Sequence, residues 1–222
     1  LESLLLEKKK YDMLDVIRDF RDDGISFSSV RQPKARGLGD AILCAEPIVG
    51  RDDFAVLLPD VLLKPRDTKN LCLRDMVLDY QRSEIYQLMV EEVSWSEVDK
   101  YGIVESTEYE VNGEKKEKIS RMVEKPPRCE ARSNLAITGR YILPNEIFRH
   151  IKKTAPDNGG EVQLTDALNK WGESNELFAH LLKGKSFDCG NTLGLLCANI
   201  EFGLSDKVHG QEVKKYINEL AV

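Results

Sequence analysis

Long apolar runs and an excess of basic residues are both missing from this chain of 222 residues. Its apolar runs fall far short of the roughly 20 residues that a membrane-spanning helix needs. Lysine and arginine number 32 against 38 aspartates and glutamates, and the net charge is -6. Because no basic surface is expected that could neutralise many phosphates, nucleic acid is not expected as a partner. Because the apolar runs are short, a membrane is not expected as a partner either.

Cysteine and histidine are also scarce. The five cysteines form no CxxC pair and their number is odd, which argues against a disulfide scaffold; we expect them to be reduced and mostly buried. The three histidines are scattered without ligand spacing and give little support for a zinc site. The N-terminus has no charged-then-apolar signal pattern, so we expect a cytoplasmic location.

The most informative stretch is an apolar run that ends at a proline and an acid. Five consecutive apolar residues, Phe54 to Leu58, are too few for a helix and predict a buried parallel strand closed by Pro59. Asp60 follows at the carboxyl end of that strand, the edge where open α/β sheets bind ligands. Asp60 is therefore either a ligand-binding acid or a residue that caps the next turn.

The first half of the chain predicts strands that alternate with helices. This order indicates right-handed crossovers and a parallel sheet of the α/β class. The predicted elements are a helix over 4–21, a strand over 25–31, a glycine- and proline-bearing loop over 32–40, a helix over 41–48, the strand 54–58, a helix over 71–81 capped by Asn70, and a strand over 85–93.

The second half begins with a hairpin signal. Two strands, 101–106 and 119–124, are joined through Asn112-Gly113, a pair typical of tight hairpin turns. The remaining predicted elements are a strand over 133–143, helices over 144–152 and 161–171, a strand over 177–182, a turn over 186–191, and helices over 192–202 and 213–220.

Two further sites carry charged side chains where ligands could bind. Asp188 lies directly before a Gly-Asn turn and a helix; with Asp60 it could hold Mg²⁺, whose remaining ligands come from water and phosphate, or it could only cap the helix. Glu124 could accept hydrogen bonds from sugar hydroxyls, and Lys125 could face a phosphate. The alternative for Glu124 and Lys125 is a surface ion pair worth under about 1 kcal/mol.

Seven ordered motifs together resemble the bacterial UTP–glucose-1-phosphate uridylyltransferases, within the sugar nucleotidyltransferases. The resemblance extends from about Leu1 to Phe202. Seven motifs in the family's order make chance similarity improbable. The motifs are Val30-Arg31-Gln32 with Gly37-Leu38-Gly39, Leu58-Pro59-Asp60, Lys100-Tyr101-Gly102, Val123-Glu124-Lys125-Pro126, Ser133-Asn134-Leu135-Ala136 with Gly139-Arg140-Tyr141, Glu161-Val162-Gln163-Leu164-Thr165-Asp166, and Asp188-Cys189-Gly190-Asn191.

The resemblance implies a fold and a domain organisation. The fold is a Rossmann-like nucleotidyltransferase α/β fold with a mixed, mostly parallel central sheet. Residues 1–222 form one domain that is incomplete at its N-terminus. Within it, 1–100 is the remainder of the nucleotide-binding half, 101–203 is the sugar-binding half and 204–222 is a C-terminal helix. The family also suggests a homodimer or homotetramer.

The resemblance further implies a reaction and a role for each site residue. Glucose 1-phosphate attacks the α-phosphorus of UTP, forming UDP-glucose and pyrophosphate with the help of Mg²⁺. The implied metal ligands are Asp60 and Asp188, which with Lys125 form the catalytic set. The implied substrate-binding residues are Gln32 and Gly37 at the uracil, Gly102 and Glu124 at the glucose hydroxyls, Lys125 at the sugar phosphate, and Asn134 in the sugar pocket.

Two departures from the family pattern keep alternatives open. The family's N-terminal glycine-rich loop has no counterpart, so the chain is expected either to continue upstream or to be truncated. Pro33 and Asp40 stand where the family commonly has glycine and histidine, which leaves a thymidylyltransferase of the same fold as an alternative. A non-catalytic paralogue that binds a sugar nucleotide is the other. A dinucleotide-dependent oxidoreductase is not supported, because no GxGxxG follows a predicted strand.

Overall fold

The computed structural model describes residues 2–15, 25–67 and 72–220. The chain divides into two compact units, Leu1–Pro33 and Lys34–Val222. The division into a nucleotide-binding and a sugar-binding half stays a prediction.

The first unit contains two short helical segments, α1 (Glu2–Glu7) and α2, which is described over residues 11–15. The predicted helix over 4–21 is therefore interrupted, and its last part lies outside the described residues. The interruption falls at three consecutive lysines, where Lys9 has a φ of 53°. Residues 25–31 form no strand, and Phe27 is 79% exposed. Alternating apolar residues predicted that strand, but a strand needs a hydrogen-bonded partner as well as a pattern.

The second unit is built on a six-stranded sheet with the order β1-β6-β3-β7-β5-β4, in which β4 also pairs with β6. Among the strands that the structure describes, only the β3–β7 pairing is parallel. The strands are β1 (Phe54–Leu57), β3 (Tyr86–Glu92), β4 (Gly102–Val111), β5 (Glu114–Glu124), β6 (Leu135–Leu143) and β7 (Leu177–Leu181).

Helices cover both faces of this sheet. The alternation of side chains along β3 sends Leu88 and Val90 to one face and Met89 to the other. Leu88 and Val90 pack with the helices α6 (Ile147–Lys153) and α7 (Leu164–Gly172). Met89 packs with the helix α5 (Leu73–Ser83) through Met76. The helices of this unit are α3 (Gly37–Leu43), α4 (Glu46–Val49), α5 (Leu73–Ser83), α6 (Ile147–Lys153), α7 (Leu164–Gly172), α8 (Thr192–Ser205) and α9 (Gly210–Leu220), with a single 3-10 turn at Val98–Lys100.

The α/β class and the mixed sheet are confirmed, but a mostly parallel sheet is wrong for the described strands. The strand β1 pairs antiparallel with β6, and its residues alternate between half-buried and exposed instead of being fully buried. A short apolar run specifies an extended segment, whereas its direction depends on a neighbour that lies far away in sequence. The predicted cap of α5, Asn70, lies outside the described residues.

The hairpin is confirmed and is longer than predicted. Asn112 and Gly113 have φ values of 51° and 81°, the two positive angles that a two-residue type I′ turn requires. Val111 pairs directly with Glu114 across this turn. The strands β4 and β5 therefore continue up to the turn, through residues rich in glutamate and lysine.

A two-stranded ribbon stands outside the six-stranded sheet. It consists of β2 (Val61–Pro65) and β8 (Gly184–Asp188), paired antiparallel. The sequence pattern did not predict either strand. The Nζ of Lys64 on β2 and that of Lys185 on β8 both donate to the Glu201 carboxylate on α8, at 2.9 Å and 2.6 Å. These two ammonium groups lower the pKa of Glu201 to about 2 and tie the ribbon to α8.

The structure also tests the expectation about the cysteines. All five cysteines fall within the described residues and are free, but Cys129 and Cys197 are exposed and the other three are only partly buried. The expectation that most are buried is therefore wrong.

Among residues 2–15, 25–67 and 72–220, no helix has the length and apolar character required to cross a membrane. The cytoplasmic location stays a prediction.

The first testable prediction concerns Asp53, which lies next to β1. Its Oδ2 accepts hydrogen bonds from the phenols of Tyr80 and Tyr86, the latter at 2.8 Å. Removing the carboxylate leaves two phenol donors without their acceptor, so we expect Asp53→Ala to lower the free energy of unfolding by about 1–3 kcal/mol. Urea denaturation measures the change, and Asp52→Ala at the exposed neighbouring residue is the matched control.

The same contacts set the pH range of that contribution. The hydrogen bond to Asp53 raises the pKa of Tyr80 to about 12. A phenol that is held protonated in the folded state stabilises the protein fully below its unfolded pKa of about 10, and the contribution is lost as the pH rises through the folded value. The difference between wild type and Asp53→Ala should stay constant from pH 7 to 9. Equal stability of the Asp52→Ala and Asp53→Ala variants would show that the phenol contacts contribute nothing.

Candidate active site

A cavity of about 350 Å³ opens in the second unit beside the ends of several strands. Its wall combines backbone and apolar groups with charged side chains, and acids outnumber bases. The charged residues are Asp60, Glu91, Lys100, Glu124, Lys125, Glu161 and Asp188.

The ribbon brings Asp60 and Asp188 together. Asp60 directly precedes β2, and Asp188 is the last residue of β8, opposite Val61. The amide of Cys189 donates to the Asp60 carbonyl at 2.7 Å. A Cβ atom placed on Gly190 would lie 3.0 Å from the Asp188 Oδ1 and 3.3 Å from the Asp60 Oδ2, so both carboxylates face the same point.

The Asp188 carboxylate is fixed by its own turn. Its Oδ1 accepts the amide of Gly190 at 2.9 Å, and its Oδ2 accepts the Nδ2 of Asn191 at 3.0 Å. Asn191, not Asp188, caps α8, because its Oδ1 accepts the amide of Gly194 at 2.8 Å. The helix-cap interpretation of Asp188 is therefore wrong, and its carboxylate faces the cavity instead.

These two carboxylates suit one hard divalent cation. Mg²⁺ is commonly bound by one or two protein carboxylates, with water and substrate phosphates completing its octahedron. Among the residues that the structure describes, no group of three or more His, Cys, Asp or Glu side chains could hold a metal ion. The convergence of Asp60 and Asp188 over Gly190 fits a cation that is shared with a ligand, and it does not fit an all-protein cage.

Gly102, Glu124 and Lys125 form a second part of the cavity wall. Gly102 pairs with Glu124 across β4 and β5. A Cβ on Gly102 would lie 3.1 Å from the Glu124 Oε2, so glycine leaves the room that this carboxylate occupies. The backbone turns at Lys125, which has a φ of 45° and whose amide donates to the Tyr101 carbonyl at 3.0 Å.

The Glu124 carboxylate is half-buried, and burial raises its pKa. Lys125 opposes the rise, whereas Asp166, Glu161 and Asp157 add to it. At pH values above the raised pKa of Glu124, its charged carboxylate destabilises the folded state. This destabilisation decreases as the pH falls through that pKa and the carboxylate takes up a proton.

The second testable prediction follows from this pKa shift. We expect Glu124→Gln to raise the Tm at pH 8 relative to wild type, with a gain that shrinks towards pH 4, because the wild-type side chain is then neutral as well. Thermal melts at pH 8, 6 and 4 measure the gain. Glu110→Gln, at an exposed position of β4, is the control and should change little. A Glu124→Gln protein that melts at or below the wild-type Tm at pH 8 would contradict this account.

Two predicted site residues of the second unit, Asn134 and Gly37, do not line the cavity. Asn134 is partly buried, and its Nδ2 donates to the Val93 carbonyl at 2.9 Å. Gly37, with a φ of 86°, begins α3; a Cβ there would lie 2.9 Å from the Cβ of Glu161. Gln32 lies in the unit Leu1–Pro33, which is described by itself.

The sequence did not single out Glu91, which lines the cavity, or Arg140, which lies outside the cavity wall. Glu91 lies near the end of β3 and lines the cavity, where the hydroxyl of Ser186 donates to its carboxylate. The signal was available, since an acid at the carboxyl end of a predicted strand is the pattern that identified Asp60. Arg140 was quoted only as part of a motif, but it contacts the turn that carries Asp60.

Comparisons with known proteins show the family of the chain. A family model described as nucleotidyl transferase matches residues 3–202. The UTP–glucose-1-phosphate uridylyltransferase of Haemophilus influenzae is 37% identical over 223 residues, covering 100% of this chain and 76% of the relative. The chain belongs to this family of nucleotidyl transferases. The resemblance predicted from its seven motifs is confirmed.

Solved structures of the family superpose on the chain. A UTP-bound UDP-glucose pyrophosphorylase from Acinetobacter baumannii has a TM-score of 0.83 and 42% identity, covering 99% of this chain and 74% of that one. A UDP-glucose pyrophosphorylase complexed with UDP-glucose has a TM-score of 0.79 and 37% identity, with coverages of 90% and 74%. The nucleotidyl transferase fold expected for the chain is thereby confirmed.

Proposed function

We propose that the protein transfers a uridylyl group from UTP to glucose 1-phosphate, forming UDP-glucose and releasing pyrophosphate. The observation that carries this proposal is the convergence of Asp60 and Asp188 on one point of the cavity that Gly102, Glu124 and Lys125 also line. The names of the similar proteins, a uridylyltransferase and pyrophosphorylases solved with UTP and with UDP-glucose, support this choice of substrates.

The reaction joins two polyanions. A phosphate oxygen of glucose 1-phosphate attacks the α-phosphorus of UTP, a new P–O bond forms there, and the bond to the β-phosphate oxygen breaks with pyrophosphate leaving in line. The electron pair stays with pyrophosphate, so no oxidant, reductant or covalent intermediate is needed. Positioning and neutralisation of charge carry most of such a transfer.

The chain's own residues supply both requirements. Lys125 lies on the cavity wall, and among the described residues its ammonium group forms no salt bridge, so it is available to a phosphate of the sugar substrate. Glu124 offers carboxylate oxygens as hydrogen-bond acceptors for glucose hydroxyls. Gly102 leaves space beside that carboxylate, which lets the sugar approach the backbone of β4.

The metal proposed for this site is Mg²⁺, with Asp60 and Asp188 as its protein ligands. When bound, it would supply positive charge to the phosphates of UTP and neutralise charge that develops on the leaving group. The turn hydrogen bonds to Asp188 keep that carboxylate in its orientation before the cation binds.

The remaining assignments are proposals that rest on the family pattern. Gln32 and Gly37 are proposed to contact the uracil ring, and Asn134, whose Nδ2 donates to the Val93 carbonyl, to contribute to the sugar pocket. In this scheme residues 1–100 serve the nucleotide and 101–203 serve the sugar. A homodimer or homotetramer stays a prediction.

The function is tested by measuring the release of pyrophosphate that the natural polypeptide catalyses. UTP and dTTP are each combined with glucose 1-phosphate or galactose 1-phosphate, in Mg²⁺ or in EDTA. We expect rapid release with UTP, glucose 1-phosphate and Mg²⁺, and none in EDTA. A preference for dTTP would replace the proposal with a thymidylyltransferase, and binding of UDP-glucose without turnover would identify a non-catalytic paralogue.

A further inference from the structure

Asp60 lies in a tight turn that an arginine from another strand anchors. The turn runs over Leu58–Val61, where the amide of Val61 donates to the Leu58 carbonyl at 3.4 Å. The Nη1 of Arg140 on β6 donates to that same carbonyl at 3.0 Å, and its Nη2 donates to the Val61 carbonyl at 2.6 Å. The two accepting carbonyls stand on either side of Asp60, so one guanidinium group spans the turn.

The backbone next to Arg140 holds the same turn. The amide of Leu58 donates to the Gly139 carbonyl at 3.0 Å, and the Nη1 of Arg140 also donates to that carbonyl, at 3.1 Å. Gly139 has a φ of 71°, and a Cβ there would lie 2.9 Å from the Leu58 side chain. Gly139 therefore allows the turn to lie against β6, where Arg140 reaches it.

We propose that Arg140 is a positioning residue that sets the metal affinity of the site by fixing the backbone on both sides of Asp60. The inference rests on the proposed function, since it takes Asp60 as a metal ligand. Arg140 does not touch the reacting groups in this scheme. Its donors are directed at backbone carbonyls, and it acts only through the turn.

An arginine suits this task because its planar fork donates in two directions at once. The ammonium group of lysine is a single point and cannot reach carbonyls on both sides of the turn equally well. Methionine or glutamine removes the fork altogether. The series Arg140→Lys, Arg140→Gln and Arg140→Met therefore grades the loss of the anchor.

The sign of the effect separates positioning from charge. Burial lowers the pKa of the Arg140 guanidinium, and Cys72 and Asp60 oppose that lowering, so Arg140 lies within electrostatic reach of Asp60. If only charge mattered, removing a cation near the carboxylates would strengthen the binding of a second cation. If positioning matters, losing the anchor weakens it, and outer partners of metal ligands typically change metal affinity by about 10–100-fold.

The experiment measures Mn²⁺ binding by electron paramagnetic resonance of the free ion, with UDP-glucose at a saturating concentration. We expect the Kd for Mn²⁺ to rise about 10–100-fold in Arg140→Gln and Arg140→Met, and less in Arg140→Lys. The kcat of each variant should return to within about 3-fold of wild type at saturating Mg²⁺, because the catalytic groups are intact. Arg82→Gln is the matched control, since Arg82 also donates to a backbone carbonyl, at 3.3 Å, but from an exposed position of α5.

Several outcomes would overturn the inference. An unchanged or tighter Kd for Mn²⁺ in the glutamine variant would do so, as would a loss of kcat that Mg²⁺ cannot restore. If the methionine variant does not fold, the lysine and glutamine variants carry the test. Asp60→Asn separates this inference from the proposed function: wild-type Mn²⁺ binding in that variant would remove the metal assignment itself, whereas lost binding there with normal binding in Arg140→Gln would remove only the role of Arg140.

Discussion

Replacing Asp60 or Asp188 with asparagine is expected to reduce kcat roughly 1,000-fold or more while the fold stays intact. Asparagine keeps the shape of the side chain but removes the negative charge that a divalent cation requires. A metal ion supplies several kcal/mol of transition-state stabilisation, and each 1.36 kcal/mol is a factor of ten in rate. Pyrophosphate release at saturating UTP and glucose 1-phosphate measures the loss.

A matched control for the Asp188 variant is Asp206→Asn. Asp206 also has a carboxylate that accepts amides of its own turn, from Val208 at 3.0 Å and His209 at 2.6 Å, but it does not line the cavity. We expect wild-type turnover in that control. Wild-type turnover in Asp60→Asn or Asp188→Asn would instead show that the carboxylates do not hold a catalytic cation.

Replacing Lys125 with methionine is expected to lower kcat/KM for glucose 1-phosphate roughly 100-fold or more. Methionine keeps the length and the apolar stem but removes the positive charge proposed to meet the phosphate of the sugar. The KM for UTP should change far less, because Lys125 is assigned to the sugar half of the site. Initial rates with each substrate varied in turn separate the two effects.

Lys100→Met provides the control for Lys125. Lys100 lines the same cavity, but its ammonium group donates to the Glu97 carboxylate at 2.9 Å. Its loss should therefore change kcat/KM for glucose 1-phosphate only slightly. Equal losses in Lys100→Met and Lys125→Met would mean that the cavity needs only a general positive potential and that Lys125 has no specific phosphate contact.

Local sequence signals were sufficient wherever one short segment determines the structure. The Asn112-Gly113 pair specified the hairpin turn, because both residues tolerate the positive φ values that the turn needs. The acid at the end of an apolar run suggested Asp60 as a candidate, although the parallel strand predicted before it is antiparallel, and the acid before a Gly-Asn turn suggested Asp188. For the hairpin turn and the Asp188 turn, the relevant contacts lie within a few residues.

Long-range pairing could not be predicted in the same way. Nothing in the apolar segment after Asp60 indicates that it pairs with the segment before Asp188, yet this ribbon is what brings the two carboxylates together. The direction of β1 and the anchoring of the Asp60 turn by Arg140 depend equally on residues far away in sequence. A single sequence reports which residues suit a strand or a turn, but not which strand becomes its neighbour.

The most direct test of the account is a crystal structure of the protein with UDP-glucose and Mn²⁺, with data collected at the manganese absorption edge. We expect an anomalous peak between the Asp60 and Asp188 carboxylates, on the order of 2 Å from an oxygen of each and in contact with the diphosphate of UDP-glucose. The glucose ring should lie beside Gly102 and Glu124. A peak elsewhere, or a sugar nucleotide bound outside this cavity, would contradict it.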